Sequence, residues 1–254
     1  LEYRGYDSAG LAVYDPHKGL QVSKAKGRLK ALYDLTHGGA DVKGTMGVGH
    51  TRWATHGEPN DVNSHPQVSQ SGRVAVVHNG IIENYVRLKE FLMEKGIQFV
   101  SETDTEVVAQ LVDYYYQGDL LEAVAQVLKV IEGAYALGIV CADEPDKIVA
   151  ARKDAPLLLG YGEGCNFLAS DVTALVKYTR DVSYMDDGEV AVLTRTGIQC
   201  YDNLMRPIQK EISRVEWEID AAEKGGYPHF MLKEIMEQPD ALRRCMSPRI
   251  KGGE

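Results

Sequence analysis

The sequence predicts a layered α+β domain, on two observations. Helical periodicity before the tail falls in the middle of the 254-residue chain, between Ile82 and Ile131. From Ala134 onward, short apolar runs recur between turn signals with few helices between them. Such runs favour antiparallel pairing over a doubly wound sheet, and the middle helices are then available to cover the sheets. The length allows a sizeable core. A composition of 44% apolar and 26% charged residues excludes disorder and collagen-like repeats.

In chain order, the glycines of Thr45-Met46-Gly47-Val48-Gly49-His50 mark a strand approached closely by other backbone. Val74 to His78 is a buried strand bounded by Gly72 and by Asn79-Gly80. Ile82, Tyr85, Leu88 and Leu92 then fall at helical spacing, with Gly96 as the stop. Thr103 and Glu106 stand at capping-box spacing and open a second helix that buries Val107, Val108, Leu111, Val112 and Tyr115. A third helix after Asp119 carries Leu120, Val124, Val127, Leu128 and Ile131. Strands are expected at 135–141, 148–151, 157–159, 167–169, 190–193 and 198–201. The tail changes character. Gly225-Gly226-Tyr227-Pro228 is a turn, Met231, Ile235 and Pro239 mark a short helix and its end, and Lys251-Gly252-Gly253 reads as linker. The division expected is a domain over 1–222 and a linker over 223–254 leading to a further domain.

With 28 Lys+Arg against 37 Asp+Glu, the net charge of −9 argues against a nucleic-acid partner. The longest apolar stretch, 134–142, is strand-sized, so no membrane span is expected, and Glu2, Arg4 and Asp7 interrupt any signal-peptide core. Cys141, Cys165, Cys200 and Cys245 form no C-x-x-C pair, which suits the reducing cytoplasm, with Cys141 and Cys200 as small buried hydrophobes. The histidines are dispersed, and Cys165 departs from a dinucleotide fingerprint in Gly160-Tyr161-Gly162-Glu163-Gly164-Cys165. Neither a metal nor a cofactor is expected.

Three polar clusters interrupt apolar elements. In His50-Thr51-Arg52-Trp53-Ala54-Thr55-His56-Gly57, Arg52 suits a bidentate grip on a carboxylate and Trp53 suits a wall against solvent. An exposed loop with a salt bridge is the competing reading. In His78-Asn79-Gly80-Ile81, the Asn79 amide beside the Gly80 N–H makes a plausible oxyanion hole at a strand-to-helix junction, or an ordinary Asn-Gly turn. In Ser101-Glu102-Thr103-Asp104-Thr105-Glu106, Asp104 pairs with a substrate ammonium or caps the helix. Taken together, a carboxylate binder, an ammonium binder and an oxyanion hole point to acyl transfer from an amino-acid side-chain amide.

These motifs, with Leu1-Glu2-Tyr3-Arg4-Gly5-Tyr6-Asp7-Ser8-Ala9-Gly10 before them and Phe230-Met231-Leu232-Lys233-Glu234-Ile235 after them, resemble one family in order. It is the glutaminase module of the glutamine–fructose-6-phosphate aminotransferases, class II (N-terminal-nucleophile) glutamine amidotransferases. The resemblance implies a four-layer αββα N-terminal-nucleophile hydrolase sandwich with two mainly antiparallel sheets, incomplete at the N-terminus. It also implies an N-terminal Cys thiolate that attacks the glutamine amide, with its own α-amine as base, and ammonia channelled to a sugar-isomerase module holding fructose 6-phosphate. Carried over by position, Asn79 and Gly80 form the oxyanion hole. Arg52 holds the α-carboxylate, Asp104 the α-ammonium, and Trp53, Thr55, His56 and Gly80 line the glutamine pocket. A homodimer is implied for the full-length enzyme.

The family opens on Cys-Gly-Ile-Val-Gly, whereas the first cysteine here is Cys141. The 254 residues are therefore expected to be a stretch of a longer enzyme, inactive without the nucleophile and the isomerase module. An amidophosphoribosyltransferase-like glutaminase is the alternative, against which Trp53-Ala54-Thr55-His56 and the linker weigh. A non-catalytic glutamine-binding or interaction module is another.

Overall fold

The computed structural model describes residues 5–54, 56–216 and 225–246. Leu1 to Arg4 of the opening motif, Thr55, the 222/223 boundary and Lys251-Gly252-Gly253 lie outside them. The chain divides into two compact units, Leu1–Arg214 and Val215–Glu254.

In the first unit, β1 (Ser8–Asp15), β2 (Gly19–Lys26) and β3 (Gly47–Arg52) form an antiparallel sheet in the order β2-β1-β3. Helix α1 (Leu29–Leu35) packs on β1 and β2. A seven-stranded sheet holds the centre: β4 (Gln67–Val68), β5 (Val74–Ile82), β6 (Gly133–Cys141), β7 (Lys147–Lys153), β11 (Val190–Thr194), β12 (Ile198–Tyr201) and β13 (Pro207–Ile208). Its order is β13-β12-β11-β7-β6-β5-β4. A third sheet, β14-β10-β8-β9, comprises β8 (Leu158–Gly162), β9 (Cys165–Ala169), β10 (Asp181–Tyr184) and β14 (Ser213–Arg214). Every ladder between these strands is antiparallel.

Strand alternation separates the two faces of the central sheet. Val76, Leu137, Ile139, Val149 and Val190 turn toward α2 (Tyr85–Glu94), α3 (Thr105–Tyr115) and α4 (Leu120–Val127), where Leu92, Val108, Leu111 and Val124 meet them. Each such buried side chain contributes about 1.5–3 kcal/mol relative to exposure. On the opposite face, Ala75 and Val140 pack on Ala12 of β1, while Ala136, Ala150 and Ala191 pack on Leu157, Leu159 and Met185. The small residues on this face let the second sheet layer approach. Helices, central sheet, two smaller sheets and α1 thus stack as four layers, the outermost one thin.

Local departures from expectation have physical causes. β5 does not stop at His78; it stays paired with β6 through Asn79↔Ala136 and Gly80↔Tyr135 to Ile82↔Gly133, so Ile82 belongs to the strand and no turn forms at Asn79-Gly80. The capping box is half made. The Glu106 N–H donates to Thr103 Oγ1 at 3.4 Å, but the Glu106 carboxylate accepts from the Val100 and Ser101 N–H groups instead of reaching back to Thr103. α4 is capped as its sequence suggests, Asp119 Oδ1 accepting from the Leu121 and Glu122 N–H groups, but it ends at Val127 and leaves Ile131 buried beyond it. The Gly160–Cys165 stretch is the β8–β9 hairpin, with Gly162 opposite Cys165. In the second unit, α5 (Phe230–Met246) runs through Pro239 rather than ending there. Among the described residues no helix is long and apolar enough to cross a membrane.

Candidate active site

A cavity of about 550 Å³ opens between the end of β3 and β5 on one side and the β8–β9 region on the other. Arg52, Trp53, Asn79, Gly80 and Asp104 all line it, brought together from three separate stretches of the sequence. His56 is not among its lining residues; its ring lies edge-on to Tyr85 at 5.5 Å. The far wall includes Leu157, Phe167, Leu168 and Tyr178, which the sequence offered only as strand residues or did not single out.

Arg52 ends β3 opposite Ser8 and is 4% exposed. Its Nη2 donates to the carbonyls of His56 and Gly57, whereas its buried Nη1 has no hydrogen-bond partner among the described residues. A buried guanidinium nitrogen without an acceptor is costly to leave bare and suits an incoming carboxylate. Burial lowers the guanidinium below its ordinary pKa, and the carboxylates of Asp7 and Asp104 oppose that shift. The loop with a surface salt bridge is therefore not what forms here. Trp53 is 65% exposed and meets Tyr6 edge-on at 5.3 Å, so in this structure it forms a rim rather than a seal.

Asp104 directly precedes α3 but makes no side-chain cap hydrogen bond. Its Oδ2 accepts instead from the Ile82 N–H at 2.7 Å, tying the helix start to the end of β5 and leaving the carboxylate at the cavity. Gly80 sits in the strand at φ +132°, where a Cβ would lie 2.1 Å from the Ala134 carbonyl oxygen. Only glycine lets β5 pass β6 this closely, and the requirement places the Gly80 backbone beside the Asn79 amide.

Behind Asn79 lie three histidines from β3, the β4 approach and β5. The His50 ring is 4.5 Å from His65, and His65 stacks on His78 at 6.5 Å. His50 Nε2 bonds Asn79 Oδ1 at 2.8 Å, and His78 Nδ1 bonds Thr105 Oγ1 at 2.8 Å. Burial pushes His50 down to about 4 and His65 well below the ordinary imidazole value of 6.5. His78 is lowered as well, burial outweighing the pull of Asp104. The unfolded chain therefore binds more protons than the native one as pH falls below 6.5, so stability is full above that pH and lost below it. His50 accounts for at most about 2 kcal/mol of loss between pH 6.5 and 5, with His65 and His78 adding in the same sense. Urea midpoints measured from pH 7 to 5 should fall; a flat profile would show that these rings are protonated in the native state.

A family model described as a glutamine amidotransferase domain matches residues 11–221. The chain belongs to that family. Among curated proteins, the glutamine–fructose-6-phosphate aminotransferase [isomerizing] of Caldanaerobacter subterraneus subsp. tengcongensis is 57% identical over 98% of this chain and 41% of its own length. A protein of the same name from Thermus thermophilus is 53% identical over 100% of this chain and 42% of its own length. The chain thus spans about two fifths of the length of these relatives. Among solved structures, the glutamine phosphoribosylpyrophosphate amidotransferase from B. subtilis superposes with TM-score 0.68 at 26% identity, covering 81% of this chain and 45% of that one. A glutamine aminotransferase class-II domain protein from Silicibacter pomeroyi, 14% identical with TM-score 0.53 over 77% of this chain and 91% of that one, shares the fold. The amidotransferase domain has the N-terminal-nucleophile hydrolase sandwich that the sequence suggested.

Proposed function

We propose that this amidotransferase domain is the glutaminase half of an enzyme that makes glucosamine 6-phosphate from glutamine and fructose 6-phosphate. The observation that carries the reading is the unpartnered Nη1 of Arg52 in the same cavity as Asp104, Asn79 and Gly80. A guanidinium and a carboxylate in one cavity match the two charges of an α-amino acid, and the neighbouring amide donors match an oxyanion on its side chain. Thr55 and His56 enter this reading only through the family resemblance, and Trp53 stands at the rim of the cavity. Identity above one half to the named aminotransferases, against 26% to the solved glutamine phosphoribosylpyrophosphate amidotransferase, favours the fructose 6-phosphate acceptor.

The family resemblance implies that the nucleophile is an N-terminal Cys, its α-amine taking the thiol proton. The thiolate adds to the glutamine side-chain carbonyl carbon, and Asn79 Nδ2 and the Gly80 N–H hold the resulting oxyanion. As the intermediate collapses to the thioester, the amine passes its proton to the leaving amide nitrogen, which departs as ammonia; water then hydrolyses the thioester, releasing glutamate and restoring the thiol. The ammonia passes to an isomerase module joined through a linker over 223–254. The 254 residues alone release none, and the full-length enzyme is a cytoplasmic homodimer.

The test is to purify the natural gene product, determine its N-terminal residue by mass spectrometry, and assay ammonia release from glutamine with and without a Cys→Ala change at that terminus. The expected result is an N-terminal Cys, activity in the unchanged protein, and loss of release with retained glutamine binding in the variant. A mature protein that starts with another residue and binds glutamine without hydrolysing it supports the binding-module alternative.

A further inference from the structure

His50 stands in the first polar cluster but has no part in the reading above. It lines the cavity with one part of its ring, while its Nδ1 is sealed from solvent and has no hydrogen-bond partner among the described residues. The ring packs on His65 and lies near Arg52, an environment that keeps it uncharged at neutral pH. An uncharged imidazole carries one proton on one of its two nitrogens, and the hydrogen bond made by the other nitrogen decides which.

A proton on Nδ1 would be buried with no hydrogen-bond acceptor among the described residues. A proton on Nε2 donates to Asn79 Oδ1, 2.8 Å away. A buried donor left unpaired costs more than an acceptor lone pair left unpaired, so Nε2 holds the proton. That choice has a consequence one residue further on. An Asn side chain presents an oxygen at one end and an NH₂ at the other, and the two ends are interchangeable by rotation. With Oδ1 committed to the imidazole, only donors remain on the other end of Asn79. Were the carboxamide turned over, its oxygen would face the cavity and repel a developing oxyanion.

We propose that His50 is a positioning residue, whose Nε2–H fixes the Asn79 carboxamide with its NH₂ toward the reacting carbonyl oxygen. The proposal rests on the oxyanion-hole role of Asn79, and the two are tested separately within one set of variants of the full-length enzyme. In His50→Gln the amide NH₂ reaches the place of Nε2 and still donates to Asn79. In His50→Asn the same group is one carbon too short. Both replacements are polar amides, so a difference between them reports reach rather than loss of an aromatic ring.

The kcat for glutamine hydrolysis should fall about tenfold or more in His50→Asn, with KM changed by less than about threefold, and His50→Gln should recover most of the loss. In an Asn79→Ala background, His50→Asn should have no further effect on kcat, because the group it acts through is gone. Equal losses in the Asn and Gln variants, or the same His50→Asn factor with and without Asn79, would reduce His50 to a packing residue. If Asn79→Ala itself leaves kcat intact, the oxyanion-hole reading falls first and this proposal with it. If Asn79→Ala is damaging but the His50 effect is additive, only the positioning role is lost.

Discussion

Replacing Arg52 by alanine in the full-length protein is expected to weaken glutamine binding by roughly 2–5 kcal/mol, the cost of leaving one member of a buried charge pair alone. At about 1.4 kcal/mol per tenfold, that is a loss of about thirtyfold to a few thousandfold in affinity. The argument is geometric. Nη1 is sealed from solvent with no acceptor among the described residues, so a ligand carboxylate placed there gains a charge-assisted bond without displacing one of theirs. Removing the guanidinium also leaves the carboxylates of Asp7 and Asp104 without the cation whose charge they feel, and a second anion would then enter a negative site. Because Nη2 also holds the carbonyls of His56 and Gly57, affinity must be read beside thermal stability. Arg52→Lys keeps the charge but not the fork and should lose less than Arg52→Ala. Calorimetric titration with glutamine checks this. Undiminished affinity in Arg52→Ala would remove the carboxylate assignment.

Asn79→Ala should act on a different quantity. Deleting one oxyanion donor lowers kcat by about 10²–10³, while glutamine affinity changes much less, since the donor meets full negative charge only in the tetrahedral intermediate. The Gly80 N–H survives the change, so activity should be reduced rather than abolished. Steady-state ammonia release over a range of glutamine concentrations separates the two parameters. A variant with unchanged kcat would take Asn79 out of the chemistry, and one with raised KM and unchanged kcat would make it a binding residue.

The middle helices were readable because their signals are local. Asp119 caps the first turn of α4, and the apolar spacing of Leu88 and Leu92 appears as the buried face of α2. The long strands β6 and β7 were equally plain as apolar runs. What escaped depends on partners distant in sequence. Asn79-Gly80 is strong turn chemistry, yet its pairing with Ala136 and Tyr135 overrides it and extends β5 to Ile82. Asp104 occupies the cap position, yet the Ile82 N–H, 22 residues away, takes its carboxylate. β10, β13 and β14 are two to four residues long, too short to show a period. Of the site, Arg52, Asn79 and Asp104 were legible as residue types suited to an amino acid. Their convergence on one cavity was not, and neither was the bond from His50 to Asn79, which depends on β3 lying against β5.

The continuity of β5 through Asn79 and Gly80 has a consequence for how the site can move. Loop-borne donors open on their own, at little free-energy cost, and can be reshaped by a ligand. Here the donor pair is carried on a strand paired along nine residues with β6, so the backbone beneath it cannot shift without breaking the ladder of the central sheet. This wall is a fixed template, already set before any ligand arrives.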